Sequence, residues 1–410
     1  MSATLIICPH YPLPESTGAN MRTMHFVRYF RRLGPVDIAH IFPPANAKEM
    51  GQLFREVVSI PYLSMRFRHR FVLGLFTGRP PVVYQYHSKP LRPILAGITS
   101  GDYDRILVRY ISSTGMLWRL PPAMRRRIIL DFDDIRSGSL SDHSGGGDPG
   151  LRQQVMRSLL RRWIWRYEKK CLQFGATLVC SEGDRVKLDD GRHRSPFVVP
   201  NVYHEGDNLA SLAGNGFGKP HNLLFVGTLA YSPNVEGLQW FLESVFPRFR
   251  RAYPDGTLTV VGREPTAQVR ALCEPTEGAL LEADVPDLRP FYRDARAVVV
   301  PLLAGGGTRI KILEAAAAGR PVLSTPTGAE GLALRDGRDI LIFRDAAEFL
   351  ATYKSLAARM TYESLVEGAR QVVTGTYSIQ AFEDALNPVL THIHGRMPPA
   401  SRRVPAGPFA

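Results

Sequence analysis

The stretch GGGTRIKILEAAAAGRPVLSTPTGAEGL, Gly305–Leu332, is the most informative part of this sequence. Three glycines follow an apolar run that ends at Pro301, and Thr308 then opens a strongly helical pattern. This arrangement places backbone N–H groups and the positive end of a helix at a sheet edge, where a phosphate or diphosphate binds well. Arg309 and Lys311 add two positive charges to the same turn. The segment therefore predicts a site for an anionic ligand.

Glu314 stands within the apolar run IKILEAAAAG, where an ordinary surface carboxylate is unexpected. A carboxylate in this place is suited to accept two hydroxyl hydrogen bonds, for example from a ribose. Two plainer interpretations stay open. Glycine-rich turns before helices also serve close packing, and Glu314 could pair with Lys311 on the adjacent helical turn.

Short β-branched runs alternate with amphipathic helical stretches on both sides of this segment, which predicts an α/β fold with parallel sheets. The polar, aperiodic stretch between two such series predicts a linker at about 206–218. We expect two doubly wound Rossmann-like domains, 1–205 and 219–392, that face each other across a cleft. The Pro-rich tail 397–410 is predicted to be disordered. The clearest predicted strands are Thr4–Cys8, Arg105–Arg109, Ile128–Asp131, Leu223–Gly227, Ala297–Pro301 and Val322–Ser324.

Length and composition exclude several classes of protein. A chain of 410 residues and 45.7 kDa is too long for one compact core. With 44% hydrophobic and 22% charged residues, the composition is that of a globular protein. No apolar stretch approaches the roughly 18 residues that span a bilayer. The four cysteines show no metal or redox spacing and indicate a reducing compartment, so we expect a cytoplasmic protein.

The positive charge is concentrated in the first half of the chain. Residues 1–200 carry a net charge of +14, and residues 201–410 carry −1. Arginine and aromatic residues interleave at Arg66–Leu73, which we interpret as a candidate contact with an anionic membrane surface. Nucleic acid is the competing partner, although no nucleic-acid-binding module accompanies the charge. A second basic segment holds an apolar stripe that we expect to face the core: Val155, Leu159, Trp163, Tyr167 and Cys171.

Three segments of the second half together resemble a known family. They are LLFVGTLAYSPNVEGLQWF (Leu223–Phe241), VPDLRPFYRDARAVVVPLLAGGG (Val285–Gly307) and the Gly305–Leu332 stretch. The sequence is similar to the C-terminal half of glycosyltransferase family 4, particularly its exopolysaccharide-associated sugar transferases. The resemblance is looser in the first half. It implies the GT-B fold and a retaining transferase that uses a nucleotide sugar.

The resemblance also implies donor-binding roles. Glu314 matches the second glutamate of the family's paired-glutamate motif, which binds the donor ribose, while the position of the first glutamate is Gly306 here. That departure leaves the backbone N–H groups of Gly306, Gly307 and Thr308 in the region of the transferred sugar.

A second departure concerns the diphosphate. The basic pair that usually follows the first strand of this domain is absent, and Thr228 and the stretch Val235–Glu236 occupy its place. Arg309 and Lys311 are expected to supply the neutralising charge instead. Val285 matches the segment that packs along the nucleotide base.

In the first half, Gly18 matches the family's glycine turn near the donor phosphate and the acceptor, although an ordinary strand-to-helix turn is equally compatible. Asp131 and Asp133 end a predicted strand at the sheet edge and are candidates to contact sugar or acceptor hydroxyls. Two alternatives for these carboxylates stay open: capping of the next segment, or pairing with Arg125–Arg127. Asp-x-Asp is a metal motif in another glycosyltransferase fold, but in this family neither a metal nor a cofactor is expected.

The sequence thus predicts a hexosyltransferase of bacterial exopolysaccharide or cell-surface glycan biosynthesis. Its expected partners are a nucleotide-diphosphate sugar, a lipid-linked or polysaccharide acceptor and the anionic inner face of the cell membrane, but not nucleic acid. A sugar-nucleotide epimerase, which shares the fold, remains an alternative. So does a sugar-nucleotide-binding protein without activity, since two usual donor contacts are missing.

Overall fold

The computed structural model describes most of the chain, namely residues 3–9, 12, 13, 15, 17–40, 47–59, 66–84, 96, 98, 102–115, 117–139, 150–203, 209–212 and 216–395. The chain divides into two compact units. The first comprises the residues up to Asn201 together with the C-terminal segment from Phe382, and the second runs from Val202 to Ala381. The predicted tail 397–410 and part of the predicted linker lie outside the described residues.

The first unit is built on a parallel sheet of seven strands in the order β3-β2-β1-β4-β5-β6-β7. The central strands are buried on both faces, as expected for β-branched runs covered by helices. The strands are β1 Thr4–Cys8, β2 Val36–His40, β3 Val57–Ser59, β4 Arg105–Arg109, β5 Ile128–Asp131, β6 Ala176–Val179 and β7 Phe197–Val198.

The second unit repeats this plan with six parallel strands in the order β10-β9-β8-β11-β12-β13. Aromatic and aliphatic side chains fill both faces of the sheet, with Phe225 and Phe241 on one face and Val298 and Ile312 on the other. The strands are β8 Asn222–Val226, β9 Thr257–Gly262, β10 Ala279–Ala283, β11 Ala297–Val300, β12 Val322–Ser324 and β13 Leu341–Ile342.

Helices connect and cover the strands of each sheet. In the first unit they are α1 Gly18–Arg31, α2 Ala47–Leu53, α3 Phe67–Thr77, α4 Pro122–Arg125, α5 Arg136–Ser139, α6 Leu151–Cys171 and α7 Glu182–Leu188. In the second unit they are α8 Ser232–Trp240, α9 Phe246–Ala252, α10 Ala267–Cys273, α11 Arg289–Asp294, α12 Ile310–Ala317, α13 Pro326–Ala329, α14 Ala346–Ser355 and α15 Arg359–Thr376, with a π-helical turn at Phe241–Val245 between α8 and α9. Helix α16, Ile379–His394, ends the described chain.

Both sheets reverse their strand order beside their first strand. The reversal lies between β1 and β4 in the first sheet and between β8 and β11 in the second. Ligands of doubly wound sheets bind outside the carboxyl ends of the strands at this point. The α/β class and the two doubly wound sheets that the sequence predicts are therefore confirmed.

Two segments lie differently from the sequence expectation. Within the predicted linker, Leu209–Leu212 forms a short 3₁₀ turn whose two leucines are buried among Tyr292 and Ile312 of the second unit. At the other end of the domain predicted to run to residue 392, the chain returns to the first unit. There Phe382 packs edge-on against Phe26 at 5.0 Å. Sequence order alone could not predict this return, because it depends on a contact between distant segments.

The apolar stripe on α6 is core-facing only in part, so that prediction needs correction. Tyr167 and Cys171 are buried, as expected. Val155 and Leu159 are instead 51% and 60% exposed, because the first turns of α6 extend past the core that receives its second half.

Candidate functional site

Two loops meet at the carboxyl end of the second sheet, where its strand order reverses. One follows β8 and leads into α8, and the other follows β11 and leads into α12. A Cβ on Gly237 would lie 2.5 Å from the carbonyl oxygen of Pro301, and one on Gly305 would lie 3.5 Å from Pro233. Helix α8 therefore lies against the loop that follows β11, and glycine at position 237 is what permits that closeness.

Arg309 shapes the glycine loop between β11 and α12. Its side chain is buried, and its guanidinium donates to the carbonyl oxygens of Gly306 and Gly307 and, at 2.8 Å, to that of Gly305. Gly305 and Gly307 have φ angles of 118° and 76°, which side chains with a Cβ rarely adopt. The loop is thus wrapped around its own arginine.

This wrapping fixes the direction of the N–H groups. A trans peptide unit directs its C=O and its N–H to opposite sides. Because the guanidinium takes the carbonyl oxygens of Gly305, Gly306 and Gly307, the N–H groups of Gly306, Gly307 and Thr308 point away from it. Successive N–H groups of this kind form a concavity suited to anions. The sequence predicted these three N–H groups at the site but assigned Arg309 to the diphosphate itself, whereas its guanidinium here holds the loop.

Lys311 lies in the first turn of α12 and reaches the loop after β8. Its Nζ donates to Asn234 Oδ1 at 2.8 Å and lies 5.0 Å from the ring centre of Phe225. Burial and, after it, the charge of Arg309 lower the pKa of Lys311 to about 7, while Glu314 opposes the shift. A partly buried ammonium group in the first turn of the helix that follows the glycine loop is suited to neutralise a phosphate bound there.

Asn234 is a residue of this site that the sequence analysis missed. It is buried near the start of α8, and its Nδ2 donates to the carbonyl oxygen of Thr228 at 2.9 Å. That bond orients the amide so that Oδ1 faces Lys311. A Cβ on Gly227 would lie 2.7 Å from Asn234 Nδ2 and 2.9 Å from Lys311 Nζ, so the glycine leaves room for both. The sequence did contain an indication, because in SPNVEGL, Ser232–Leu238, the amide of Asn234 stands between two apolar residues.

Glu314 lies one turn beyond Lys311 on α12, and its contact differs from the ion pair left open by the sequence. Its Oε2 accepts a hydrogen bond from the hydroxyl of Tyr292 at 3.2 Å. Tyr292 is fully buried and belongs to α11, so its hydroxyl holds the carboxylate from a neighbouring helix. Val285, which the sequence assigned to the base, follows β10 and packs against the same apolar cluster as Tyr292.

The first unit holds a buried ionic cluster at the carboxyl end of its own sheet. The side chain of Asp131 is completely enclosed and accepts from Arg22 Nη2 at 2.7 Å and from Arg109 Nη1 at 2.7 Å. Arg22 also donates to the carbonyl of Val199 at 2.9 Å. The sequence alternative that Asp131 pairs with Arg125–Arg127 is therefore wrong. A carboxylate with both oxygens taken and no exposed edge has a structural role, so Asp131 is withdrawn as a catalytic candidate.

Asp133 lies at the edge of this cluster and remains a candidate. Its Oδ2 accepts from Arg109 Nη2 at 2.8 Å and from the hydroxyl of Tyr110 at 2.5 Å, yet its side chain stays 12% exposed. Burial alone would raise its pKa, but the charges of Arg109 and Arg22 outweigh burial and lower it. Asp133 and Tyr110 have φ angles of 57° and 66°, a strained backbone of the kind that collects at functional sites.

Gly18 is the first residue of α1, beside the Asp133 edge. The neighbouring Ala19 carbonyl accepts from Arg109 Nη2 at 3.3 Å, and the side chain of Thr17 caps the helix by accepting from Asn20 N at 3.2 Å. Within the part of the chain that the structure describes, no three His, Cys, Asp or Glu side chains are arranged to hold a metal ion.

Comparison with known proteins shows what this chain is similar to. Residues 220–359 match the family described as "Glycosyl transferases group 1". A protein from the cps region of Klebsiella pneumoniae is 25% identical over 164 residues, which are 38% of this chain and 41% of that protein. The match thus spans less than half of that relative.

Solved structures resemble nearly the whole chain in fold. A sucrose-phosphate synthase from Thermosynechococcus elongatus has a TM-score of 0.65 at 15% identity, over 96% of this chain and all of that one. HepE from Anabaena, solved with UDP and glucose, has a TM-score of 0.61 at 14% identity, over 95% of this chain and all of that one. Residues 220–359 of this chain are therefore similar to the group 1 glycosyltransferases, and the fold of the chain is GT-B.

Proposed function

We propose that this protein is a retaining glycosyltransferase that moves a hexose from a nucleotide-diphosphate sugar to a lipid-linked or polysaccharide acceptor. The process would be bacterial exopolysaccharide or cell-surface glycan biosynthesis at the cytoplasmic face of the membrane. The relative from a cps region and the family resemblance of the Gly305–Leu332 stretch support this assignment.

One observation carries the proposal. At the strand-order reversal of the second sheet, three N–H groups, the Lys311 ammonium and the Glu314 carboxylate are presented by one loop and the helix that follows it. A diphosphate suits the N–H groups and the ammonium, and ribose hydroxyls suit the carboxylate one turn further on. A nucleotide diphosphate is the ligand that needs these three features in this sequence.

The reaction needs stabilisation of a leaving group. When the bond between the anomeric carbon and the diphosphate oxygen breaks, negative charge grows on that oxygen. Fixed N–H groups and a partly buried ammonium stabilise this charge without reorganisation. The acceptor hydroxyl forms the new bond on the same face of the sugar, and its proton passes to the departing phosphate oxygen. The configuration at the anomeric carbon is retained, and no protein base is needed.

A screen of UDP-, GDP- and dTDP-sugars by thermal unfolding tests donor binding. A ligand bound only by the folded protein raises the midpoint by an amount that grows with the ratio of its concentration to its dissociation constant. We expect one nucleotide series to raise it while free sugars do not. If none of the three series shifts the midpoint at millimolar concentration, the proposed donor site is contradicted.

Replacing Arg309 by alanine should lower turnover by more than tenfold, which corresponds to about 1.4 kcal/mol in the barrier. Three loop carbonyls would lose their partner, and the N–H groups on the opposite side of the same peptide units would lose their direction. Steady-state kinetics of Arg309→Ala is the measurement. The control is Arg251→Ala, an exposed arginine of the same unit. If Arg309→Ala and the control had equal kinetics, the proposal that Arg309 orients the loop N–H groups for catalysis would be contradicted.

Glu314→Gln should weaken nucleotide binding by about tenfold, because hydrogen bonds to a charged group contribute more than neutral ones. Turnover at saturating donor should change little, since the ribose is remote from the bond that breaks. Titration calorimetry with the nucleoside diphosphate measures the affinity, and Glu274→Gln on the exposed surface is the control. An unchanged affinity would take Glu314 out of the ribose site.

The glycine at position 306 favours a second candidate function. Because the family's first glutamate is absent there, a protein that binds a sugar nucleotide without transferring the sugar is consistent with the same site. Release of free nucleoside diphosphate on incubation with donor and acceptor separates the two functions. Binding without release would favour the second.

A further inference from the structure

Helices α3 and α6 of the first unit pack side by side through Trp163. The ring of Phe71 meets that of Trp163 edge-on at 5.6 Å, and the indole N–H of Trp163 donates to the carbonyl of Gly78 at 3.4 Å. A Cβ on Gly74 would lie 2.8 Å from the Trp163 ring, so glycine lets α3 lie close against it. The two helices therefore form one surface, which we call the two-helix surface.

This surface exposes an unusual amount of apolar side chain. Of the eleven residues of α3, only Gly74 is buried, and Phe76 is 86% exposed. On α6, Leu151 is 78% exposed. Of the fifteen large hydrophobic side chains found exposed in the described ranges, ten belong to these two helices: Phe67, Val72, Leu73, Leu75, Phe76, Leu151, Val155, Met156, Leu159 and Trp165. A concentration of this kind marks an interaction site.

The charge of the two-helix surface is of one sign. Glu168 is the one acidic residue of the two helices, and it is buried, where it accepts from Ser137 N at 3.1 Å and from the Ser137 hydroxyl at 2.5 Å. Burial raises the pKa of Glu168 to about 7, which reduces its negative charge further. The basic residues of these helices and of the residue before α3 are Arg66, Arg68, Arg70, Arg152, Arg157, Arg161, Arg162, Arg166, Lys169 and Lys170.

We propose that the two-helix surface docks this protein on an anionic phospholipid membrane, with the apolar side chains entering the acyl boundary and the basic ones meeting the phosphates. Basic residues mixed with exposed apolar side chains are the chemistry that an anionic lipid surface accepts. A second copy of the chain would bring two equally basic surfaces together, which like-charge repulsion opposes. The inference deepens the proposed function by naming the partner surface from which a lipid-linked acceptor would be taken.

No helix within the described residues is long and apolar enough to cross a bilayer. Docking would therefore be peripheral and reversible, and its two components are separable. The electrostatic part weakens with salt, while the apolar part does not. The sequence predicted only Arg66–Leu73 as the membrane contact, and the structure joins to it the exposed half of α6.

Vesicle sedimentation of the full chain tests the proposal. Vesicles of phosphatidylglycerol and phosphatidylcholine at low salt should bind the protein, and vesicles of phosphatidylcholine alone should bind it at least tenfold less. The double variant Leu75→Ser with Phe76→Ser should lower partitioning about tenfold at every salt concentration. The double variant Arg161→Glu with Arg162→Glu should lower it mainly at low salt. Val186→Ser and Arg192→Glu, which change an exposed apolar and an exposed basic residue elsewhere in the same unit, should bind as the wild type does.

The outcomes separate this proposal from that of the donor site. Failure of the wild type to bind anionic vesicles at low salt would overturn it, as would an equal loss in the two control variants. A dimer in sedimentation velocity that Phe76→Ser dissociates would assign the surface to a second copy instead. Calorimetric titration of the same variants with the nucleoside diphosphate should be unchanged, because the donor site lies in the second unit. If the wild type bound anionic vesicles but no nucleoside diphosphate, only the proposed function would be contradicted.

Discussion

Asparagine in place of Asp131 should lower the free energy of unfolding of the first unit by about 3 to 5 kcal/mol. The substitution keeps the size of the side chain but removes one of the two carboxylates that neutralise Arg22 and Arg109. Both arginine side chains are fully buried, so water cannot replace the lost charge. Removing one partner of a buried ion pair costs far more than the pair itself contributes, because a charge is left uncompensated.

Urea unfolding followed by tryptophan fluorescence measures this effect, since Trp118, Trp163 and Trp165 lie in the same unit. Glu182→Gln, which breaks an exposed ion pair with Arg185 in that unit, should change stability little. Asp133→Asn should cost less than Asp131→Asn because Asp133 keeps an exposed edge. If Asp131→Asn lost its turnover under conditions in which the variant is still folded, Asp131 would be restored as a catalytic residue.

The second large effect is expected at Lys311. Methionine at this position should lower kcat/KM by on the order of a hundredfold, equivalent to about 2.7 kcal/mol of transition-state stabilisation. The ammonium is held in place by Asn234 Oδ1 and lies over the ring of Phe225, so a mobile side chain of the surface would not replace it. Lys354→Met, at an exposed position of α14, is the matched control. Wild-type kinetics in Lys311→Met would contradict the assignment of the diphosphate to this loop.

The pKa of Lys311 adds a pH dependence with a definite sign. With a pKa of about 7 in the free protein, the side chain is mostly neutral above pH 7. A diphosphate favours the charged ammonium, so donor binding must raise this pKa and take up a proton. Affinity should therefore fall as the pH rises above about 7, up to the pKa of the bound state, and this group adds no pH dependence well below 7.

Titration calorimetry at pH 8 in two buffers of different ionisation enthalpy measures how many protons are taken up when the nucleoside diphosphate binds. We expect uptake of nearly one proton per nucleoside diphosphate in the wild type. Lys311→Met should show no proton uptake from this group. Asn234→Ala should change the number of protons taken up, because Asn234 Oδ1 accepts the hydrogen bond from Lys311 Nζ. Equal uptake in the wild type and in Lys311→Met would assign the proton to another group.

Local pattern predicted the fold well, for identifiable reasons. The strands Thr4–Cys8, Arg105–Arg109, Ile128–Asp131 and Val322–Ser324 have the predicted bounds, because short β-branched runs between turn residues permit little else. The return of α16 to the first unit could not be predicted in this way. It depends on contacts such as Tyr29 Oη to Asn387 Oδ1 at 3.0 Å, which join residues 358 positions apart.

The candidate site also has a part that the sequence could predict and a part that depends on contacts between distant segments. The glycine loop, Lys311 and Glu314 all lie within residues 305–314, so their spacing in the sequence was enough to predict that they lie together. Long-range pairing decided what each side chain does. Arg309 turns back on its own loop, and Asp131 is closed off by Arg22 and Arg109 from two other elements. No spacing rule could distinguish Asp131 from Asp133 two residues later, since the difference is one of enclosure.

The exposed half of α6 shows a limit of periodicity. An apolar residue at every fourth position predicts one apolar face, and that face does run along the helix from Val155 to Cys171. Periodicity does not say what covers the face. The core covers it only from about Leu160 onward. The remaining turns join α3 in the two-helix surface.

The central proposal is that the chain transfers a sugar, with retention of its anomeric configuration, from a nucleotide-diphosphate sugar bound at Gly305–Lys311. The most direct test incubates the purified protein with the stabilising nucleotide sugar and a lipid extract, then follows the anomeric proton by NMR together with release of the nucleoside diphosphate. We predict a glycosylated lipid with the anomeric configuration of the donor, formed by the wild type and by Lys354→Met but at least a hundredfold more slowly by Lys311→Met. Binding of the donor without release of the diphosphate, or a product of inverted configuration, would contradict the claim.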